Sequence, residues 1–575
     1  VLSLFLWKEI RMWIIYQKCK LTIFMGYYVE NTISKWRELA KEINCWGTVP
    51  HVYLSLLSIH EGVRLGDGAM VHKETNLKLV VAGLLLGILM AAMDNTIVAT
   101  AMGTIVADLG GFDKFVWVTG SYMVAVMAGM PIYGKLSDMY GRKRFFIFGL
   151  VVFLIGSALC GLAQNMEQLI AFRAIQGIGG GALMPIAFTI VFDIFPPEKR
   201  GKMTGLLGAV FGTSSVLGPL LGAFITDAIS WHWVFYINVP IGAASFYLIF
   251  RYYKETLEHR EQKIDWWGAI TLVIAVVSLM FALELGGKTY AWDSTQIVAL
   301  FTIFTVFFIV FFAVEQKASE PIISFWMFKK RLFATSQILG FLYGGTFIIL
   351  AVFIPIFVQA VYGGSATSAG LILTPMMLGS VAGSMIGGIF QTKTSFRNLM
   401  IVSVVSYFTG MYMLSGMTPD TSRMMLTLFM VIVGFGMGFS FSLLPAATIN
   451  KMEFRYRGSA NSTNAFLRSL GMTLGVTIFG ALQNRIFYEK ISENLKGFAG
   501  QGAAAFKEID PQKVFQAGER SKIPPEVLDG ITASMSASIT TVFTYALIPI
   551  VISAVVILFM GNERVETSKQ NIKAK

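Results

Sequence analysis

The chain has 575 residues, 55% of them hydrophobic and only 14% charged, with a mean hydropathy of +0.64. A soluble domain carries about 25% charged residues, so this composition excludes an ordinary water-soluble protein and points to a chain living in the bilayer. The net charge of +12 would also suit a nucleic-acid binder, but in a membrane protein it is the expected surplus of loop lysine and arginine.

Residues 1–70 mix short apolar pieces, Val1–Trp7 and Leu21–Tyr28, with scattered charges such as Lys8, Glu9, Arg11, Lys18 and Lys20. None of these pieces reaches the roughly 18 residues that a span requires, and no signal-peptide order of basic, apolar and small residues appears. Met70 leads through a polar stretch directly into an apolar run, so translation is expected to start there, with residues 1–70 an extension outside the native protein. An interfacial extension is the alternative. Cys19, Cys45 and Cys160 have no metal-ligand spacing, which supports neither a disulfide framework nor a zinc site.

From Leu77 onward, apolar stretches of about 20 residues recur, each able to cross a roughly 30 Å hydrocarbon core as helix. They are predicted at 77–106, 115–134, 144–164, 167–192, 203–227, 233–252, 267–286, 296–315, 333–361, 367–390, 398–417, 423–449, 458–484 and 537–560, fourteen in all. Alternate connections hold twenty lysines and arginines, and the intervening short ones hold three, Lys114, Lys288 and Arg423. Positive charge stays inside, so both termini are expected in the cytoplasm. The loop at about 485–536 is basic and predicted outside, but it is too long to count. The expected fold is an all-α integral membrane protein with 14 transmembrane helices. Two six-helix bundles, 71–252 and 333–560, flank a linker, 253–332, that carries two inserted helices; residues 561–575 form a cytoplasmic tail.

Asp94 lies about midway along the first span, within Met93-Asp-Asn-Thr-Ile-Val98. A carboxylate removed from water there can hold a proton, as a proton carrier must. The joint Gly134-Lys-Leu-Ser-Asp-Met-Tyr-Gly-Arg-Lys-Arg144 between spans two and three sets Lys135, Arg142, Lys143 and Arg144 against one acid, Asp138. Gly134 and Gly141 let backbone pass where a side chain would clash, and Asp138 can accept from Arg142 or from a helix N-terminus. A topology anchor is the plainer reading. The matching joint of the second half, Gly388–Arg397, keeps the leading glycine and basic residues but has no acid. Arg173 falls inside the fourth span, where an unpaired arginine costs on the order of 3 kcal/mol, so it should face a cavity or a partner unless it snorkels to the headgroups. In span five, Gly208, Gly212, Gly218 and Gly222 form two small-xxx-small faces around Pro219, which suits close helix packing and a bend. Asp227 and Glu284, at the outer ends of span five and the first inserted span, would attract cations or simply be solvated. The second half offers neutral polar groups, Gln359, Asn461 and Asn464, and Arg468, for which the sequence names no partner.

Several of these stretches together carry a resemblance. Gly134–Arg144 fits G-x-L-x-D-x-x-G-R-K-x and resembles the joint after span two in the major facilitator superfamily. Arg173-Ala-Ile-Gln176-Gly177 is similar to a family motif linked to proton coupling, and Gly208–Gly222 to the antiporter motif of its drug exporters. The Asp94 segment resembles the L-D-x-T-I-V motif of the fourteen-span EmrB/QacA-type drug:proton antiporters, with Met93 in place of Leu. Trp231-His-Trp-Val-Phe-Tyr-Ile-Asn238 opens span six as that family does, but His232 stands where arginine is usual; it reads as a structural interfacial residue. The resemblance implies a proton-coupled exporter of lipophilic compounds, cations foremost, in a bacterial plasma membrane. Asp94 and Arg173 would couple the proton, and Gly134, Asp138, Gly141 and Arg142 would form a cytoplasmic latch. The alternatives are an exporter of one metabolite (an amino acid, siderophore or lipid) and, more distantly, a non-transporting sensor. No Walker loop, metal cluster or nucleophile–base pair marks an enzyme, no cofactor is implied, and the expected partners are small molecules, protons and lipid.

Overall fold

The computed structural model describes residues 76–111, 114–255, 263–287, 289–363, 371–495 and 525–565. The expected extension at 1–70, residues 496–524 of the long loop and most of the expected tail lie outside the described residues. Among the described residues, the helices that build the fold are α1 (Leu77–Leu109), α2 (Val116–Tyr140), α3 (Arg142–Cys160), α4 (Met166–Ile194), α5 (Pro197–Ala228), α6 (Trp233–Tyr252, interrupted at Ile237), α7 (Trp266–Leu285), α8 (Thr295–Glu315), α9 (Arg331–Ala360), α10 (Thr374–Phe390), α11 (Phe396–Ser415), α12 (Arg423–Ile449), α13 (Arg457–Leu495) and α14 (Pro525–Leu558). Thirteen of them are long and apolar enough to cross a membrane; α10, at 17 residues, is a shorter apolar helix. In lipid every backbone polar group must be satisfied within the chain, and long apolar runs achieve this as helix. Side-chain caps start several of them: Asn165 accepts from the Gln168 amide, Asp265 from Gly268, Ser395 from Asn398 and Ser422 from Met425.

The 134–144 joint departs from its reading as a connecting loop. Gly134–Tyr140 is the last part of α2 and Arg142 already opens α3, so the connection is Gly141 alone, at φ 109°. That left-handed backbone is strained for any residue with a Cβ, which explains the glycine. The polar residues before it continue the helix past the apolar stretch, because nothing in their sequence breaks it. Glu255, just after α6, then accepts from the Arg142 and Lys143 amides at 3.1 and 3.0 Å and so caps α3. Nearby, burial pushes the Tyr253 phenol well above its usual range, so that residue contributes no charge there.

Each packing contact of the first six helices recurs eight helices later. The pairs α1–α5, α2–α4, α3–α4 and α1–α6 are matched by α9–α13, α10–α12, α11–α12 and α9–α14. Between the two sets, α5 packs on α10 and α2 on α13. The inserted α7 packs on α8 and α2, whereas α8 buries only Ile297, Phe311 and Glu315 and leaves most of its circumference free for lipid. The chain after α8 touches both sets. Glu315 holds the Ile322 and Ile323 amides, Glu320 pairs with Lys135 of α2 at 2.5 Å, and the Ile322 carbonyl accepts from Ser459 Oγ of α13 at 2.6 Å.

Candidate functional site

Asp94 and Arg173 come together. Both are fully buried inside the first six helices, and an Arg173 Nη1–Asp94 Oδ2 ion pair joins α1 to α4. The arrangement rules out an arginine snorkelling to the headgroups. Asp94 Oδ1 accepts from Gln176 Nε2 at 2.7 Å and from Asn238 Nδ2 at 3.1 Å, and Asn238 also donates to Ser157 Oγ at 3.0 Å. Arg173 donates from Nε to the Val118 carbonyl at 3.2 Å and from Nη1 to Gln176 Oε1 at 2.8 Å, while its guanidinium lies 4.1 Å from the Tyr122 ring centroid. Helices α1, α2, α3, α4 and α6 therefore each contribute a polar or aromatic group. The carboxylate has three donors, as a charge pair so deep requires, while Arg173 bonds through Nε and Nη1 and its Nη2 is left without a partner. Gln176 and Asn238 are members that the sequence left without a role, although both lie within its motifs.

A second constellation lies at the end where the basic connections gather. Asp138 Oδ1 and Oδ2 accept from the Gly458 and Ser459 amides, 2.8 and 2.7 Å away at the start of α13, and Arg142 Nη2 donates to Oδ1 at 3.2 Å. A carboxylate at a helix N-terminus meets both unpaired amides and the favourable end of the dipole. Arg142 also donates to the Phe454 carbonyl at 2.7 Å, lies 3.8 Å from the Phe454 ring centroid and pairs with Asp193 of α4. Asp193 in turn holds Arg457 of α13 at 2.9 Å. Two acids and two arginines thus balance in a buried quartet that joins α2, α3 and α4 to α13. Asp193, in the last turn of α4, completes it; its side chain is only 3% exposed. Gly134 is needed for the approach itself, since a Cβ there would overlap Ser462 of α13.

The glycines of α5 divide between two neighbours. Gly208 and Gly212 face Ser384 and Ser380 of α10, in the opposite set of helices, whereas Gly218 and Gly222 face Thr96, Ile97 and Thr100 of α1. Pro219 sits in the helix interior within the second pair, directly after Gly218. The close approach to α10 continues toward the basic end: Gly201 meets Gly388 backbone to backbone, and the Gly205 carbonyl accepts from Ser384 Oγ at 3.2 Å. Gly201 and Gly205 extend the small-residue rhythm at the same three- and four-residue steps, a signal present in the sequence. The other candidates do not converge on these sites. Asp227 is exposed, Glu284 is half-buried beside Gly120, and His232 stacks on Trp231 and shares a hydrogen bond with Ser230 Oγ at 2.7 Å. Trp231 donates to Asp108 at 2.7 Å, which fixes the opening of α6.

These features meet a consistent set of relatives. The chain is 74% identical over 505 residues to "Multidrug resistance protein 3" of Bacillus subtilis (strain 168), covering 87% of this chain and 98% of that protein. It is 36% identical over 533 residues to "Multidrug transporter protein MdtP" of the same strain, covering 87% and 97%. Among solved structures, the proton:xylose symporter XylE superposes with a TM-score of 0.55 at 12% identity, covering 87% of this chain and 98% of that one, a likeness of fold alone. Residues 84–476 match the family model described as Major Facilitator Superfamily, and with the helix packing repeated between its two sets of six, the chain is a multi-pass membrane transporter belonging to that superfamily.

Proposed function

We propose that this protein is a proton-driven multidrug antiporter of a bacterial plasma membrane, exporting lipophilic compounds by alternating access between its two sets of six helices. The single observation that carries the reading is the Asp94–Arg173 pair, a proton-accepting carboxylate buried inside the first set and joined to an arginine that can compete with the proton for it. The names of the two Bacillus subtilis relatives agree with the cargo class. Asp94 carries the proton, and Arg173, with Gln176 and Asn238, holds the carboxylate while it is charged. Proton entry from outside and drug entry from the cytoplasm favour opposite states, which is a coupling free energy between two ligands. The membrane potential adds about 2.3 kcal/mol per charge per 100 mV.

In this reading the basic end is cytoplasmic, as are both termini, by the charge asymmetry of the connections. The Asp138 constellation and the α5–α10 approach close that end, so the conformation is closed to the cytoplasm. Asp138, Arg142, Gly134 and Gly141 form a latch that the drug never touches, and Asp227 and Glu284 take no step. A susceptibility panel in an efflux-deficient host, run with and without a protonophore, tests the whole. Protonophore-sensitive resistance to several unrelated compounds is expected. A null across the panel would overturn the multidrug reading in favour of a dedicated metabolite exporter.

A further inference from the structure

One deep charge is left unused by this mechanism. Arg468 lies in α13, ten residues beyond Gly458 and so about 15 Å further along the helix from the Asp138 contact. Its Nη2 donates to Ser440 Oγ of α12 at 2.7 Å, and its guanidinium stands 4.4 Å from the Phe441 ring centroid. Five N–H donors belong to an arginine, and this one bond to a hydroxyl is all that the described side chains supply. The Tyr407 phenol of α11 lies within electrostatic reach of it and Gly344 of α9 packs against its backbone and Cγ, while Phe347 stands edge-on to Phe441.

No carboxylate among the described residues pairs with it. Between Arg331 and Tyr488 the only acids are Asp420 and Glu453, and both lie in connections between helices. Asp94 is already engaged by Arg173. An arginine at this depth without an acid costs on the order of 3 kcal/mol, an expense that packing does not explain. Its position is on the wall that faces the first set of helices. Phe441 packs beside Gly208 of α5, Phe466 joins the apolar core of the first set, and the Ser469 and Thr473 hydroxyls point at the Met130 and Met127 sulfurs of α2. The guanidinium itself is incompletely buried.

We propose that Arg468 anchors a substrate subsite for the carboxylate of lipophilic, carboxylate-bearing compounds, zwitterions included. A guanidinium fork matches a planar carboxylate with two parallel charge-assisted bonds, and the buried Phe441 ring backs the Arg468 guanidinium at 4.4 Å. A simple lipophilic cation would meet like charge here, so the preferred cargo shifts from cations to compounds that carry an anionic group. This deepens the efflux reading and rests on it.

The test uses rhodamine 110, which has a free carboxylate, and rhodamine 123, its methyl ester. Binding to the full-length protein in nanodiscs is followed by fluorescence polarisation. The wild type should bind the acid more tightly than the ester. Arg468→Gln should weaken the acid by about tenfold or more, the scale of one lost charge-assisted contact, and leave the ester unchanged. Arg468→Lys should recover part of the acid binding. Equal losses for both probes, or an unchanged affinity for the acid, would overturn the subsite. Export from energised vesicles separates the two claims. If the wild type moves neither probe, yet binds the acid through Arg468, the efflux reading fails and the subsite stands.

Discussion

Replacing Asp138 with asparagine tests the proposed latch at its centre. The carboxylate accepts from two amides, Gly458 and Ser459, and from Arg142, while Asp193 and the Phe454 carbonyl also hold Arg142. Asparagine keeps one oxygen acceptor but turns the other toward an amide as an N–H, so one charge-assisted bond is lost, the remaining amide bond becomes neutral, and the Arg142 bond keeps only the charge of the guanidinium. A hydrogen bond to a charged group contributes about 1.5–3 kcal/mol, and Arg142 retains other partners, so a loss of about 2–3 kcal/mol is expected. In the proposed cycle the contact exists only while the basic ends meet, so the loss should shift the balance toward the inward-facing state by about 30- to 150-fold. The assay is maleimide labelling of Ser384→Cys in inverted vesicles, with Cys19 and Cys45 changed to serine. Ser384 is fully buried against Gly205, and native Cys160 is buried as well. Labelling should accelerate and transport should slow, with the drug spectrum unchanged. An unaltered labelling rate, or a changed spectrum, would refute the reasoning.

Three further outcomes are expected. Asp94→Asn should abolish proton-coupled efflux from energised vesicles while the protein remains in the membrane; wild-type efflux by the mutant would end the proton-carrier assignment. Gly201→Ala forces a Cβ into the Gly388 backbone and should oppose closure by the about 1–3 kcal/mol typical of overpacking, so it should speed the Ser384→Cys labelling as Asp138→Asn does. Ser459→Ala keeps the amide that Asp138 needs and removes only the 2.6 Å bond to the Ile322 carbonyl, so its transport rate should stay close to wild type, whereas Arg142→Gln, which breaks up the quartet, should slow transport severalfold. Equal effects of those two would count against the quartet.

The residues of the motifs were legible because each contains an unusual type in an unusual place: a carboxylate or an arginine inside an apolar run, or glycines at helical spacing. The pairing of Asp94 with Arg173 is the expected result of two charges that cannot stay unpaired in lipid. What the sequence hid is of two kinds. The donors that Asp138 meets are backbone amides of Gly458 and Ser459, and amides leave no trace in residue identity. Asp193 stands at the end of a helix, where a charge is ordinary, and its role appears only once Arg142 and Arg457, 51 residues before it and 264 after, close on it. The continuous helix through Gly134–Tyr140 was concealed because hydropathy marks where lipid ends rather than where helix ends.

The strap that follows α8 bears on how the molecule can be taken apart. By chain order the inserted helices lie between the two sets, and a cut after residue 252 would send them with the second. Their contacts assign them otherwise: α7 packs on α2, Glu320 holds Lys135, and Ile322 and Ile323 sit in the apolar core of the first set. Two fragments divided near residue 326 would each keep most of their own interior, Phe325 with the first and Met327 with the second, and the Ser459–Ile322 bond would rejoin them across the break. Division near 252 would strip the first fragment of a wall that it already packs against. Reassembly of co-expressed pieces should therefore succeed at the later cut and falter at the earlier one.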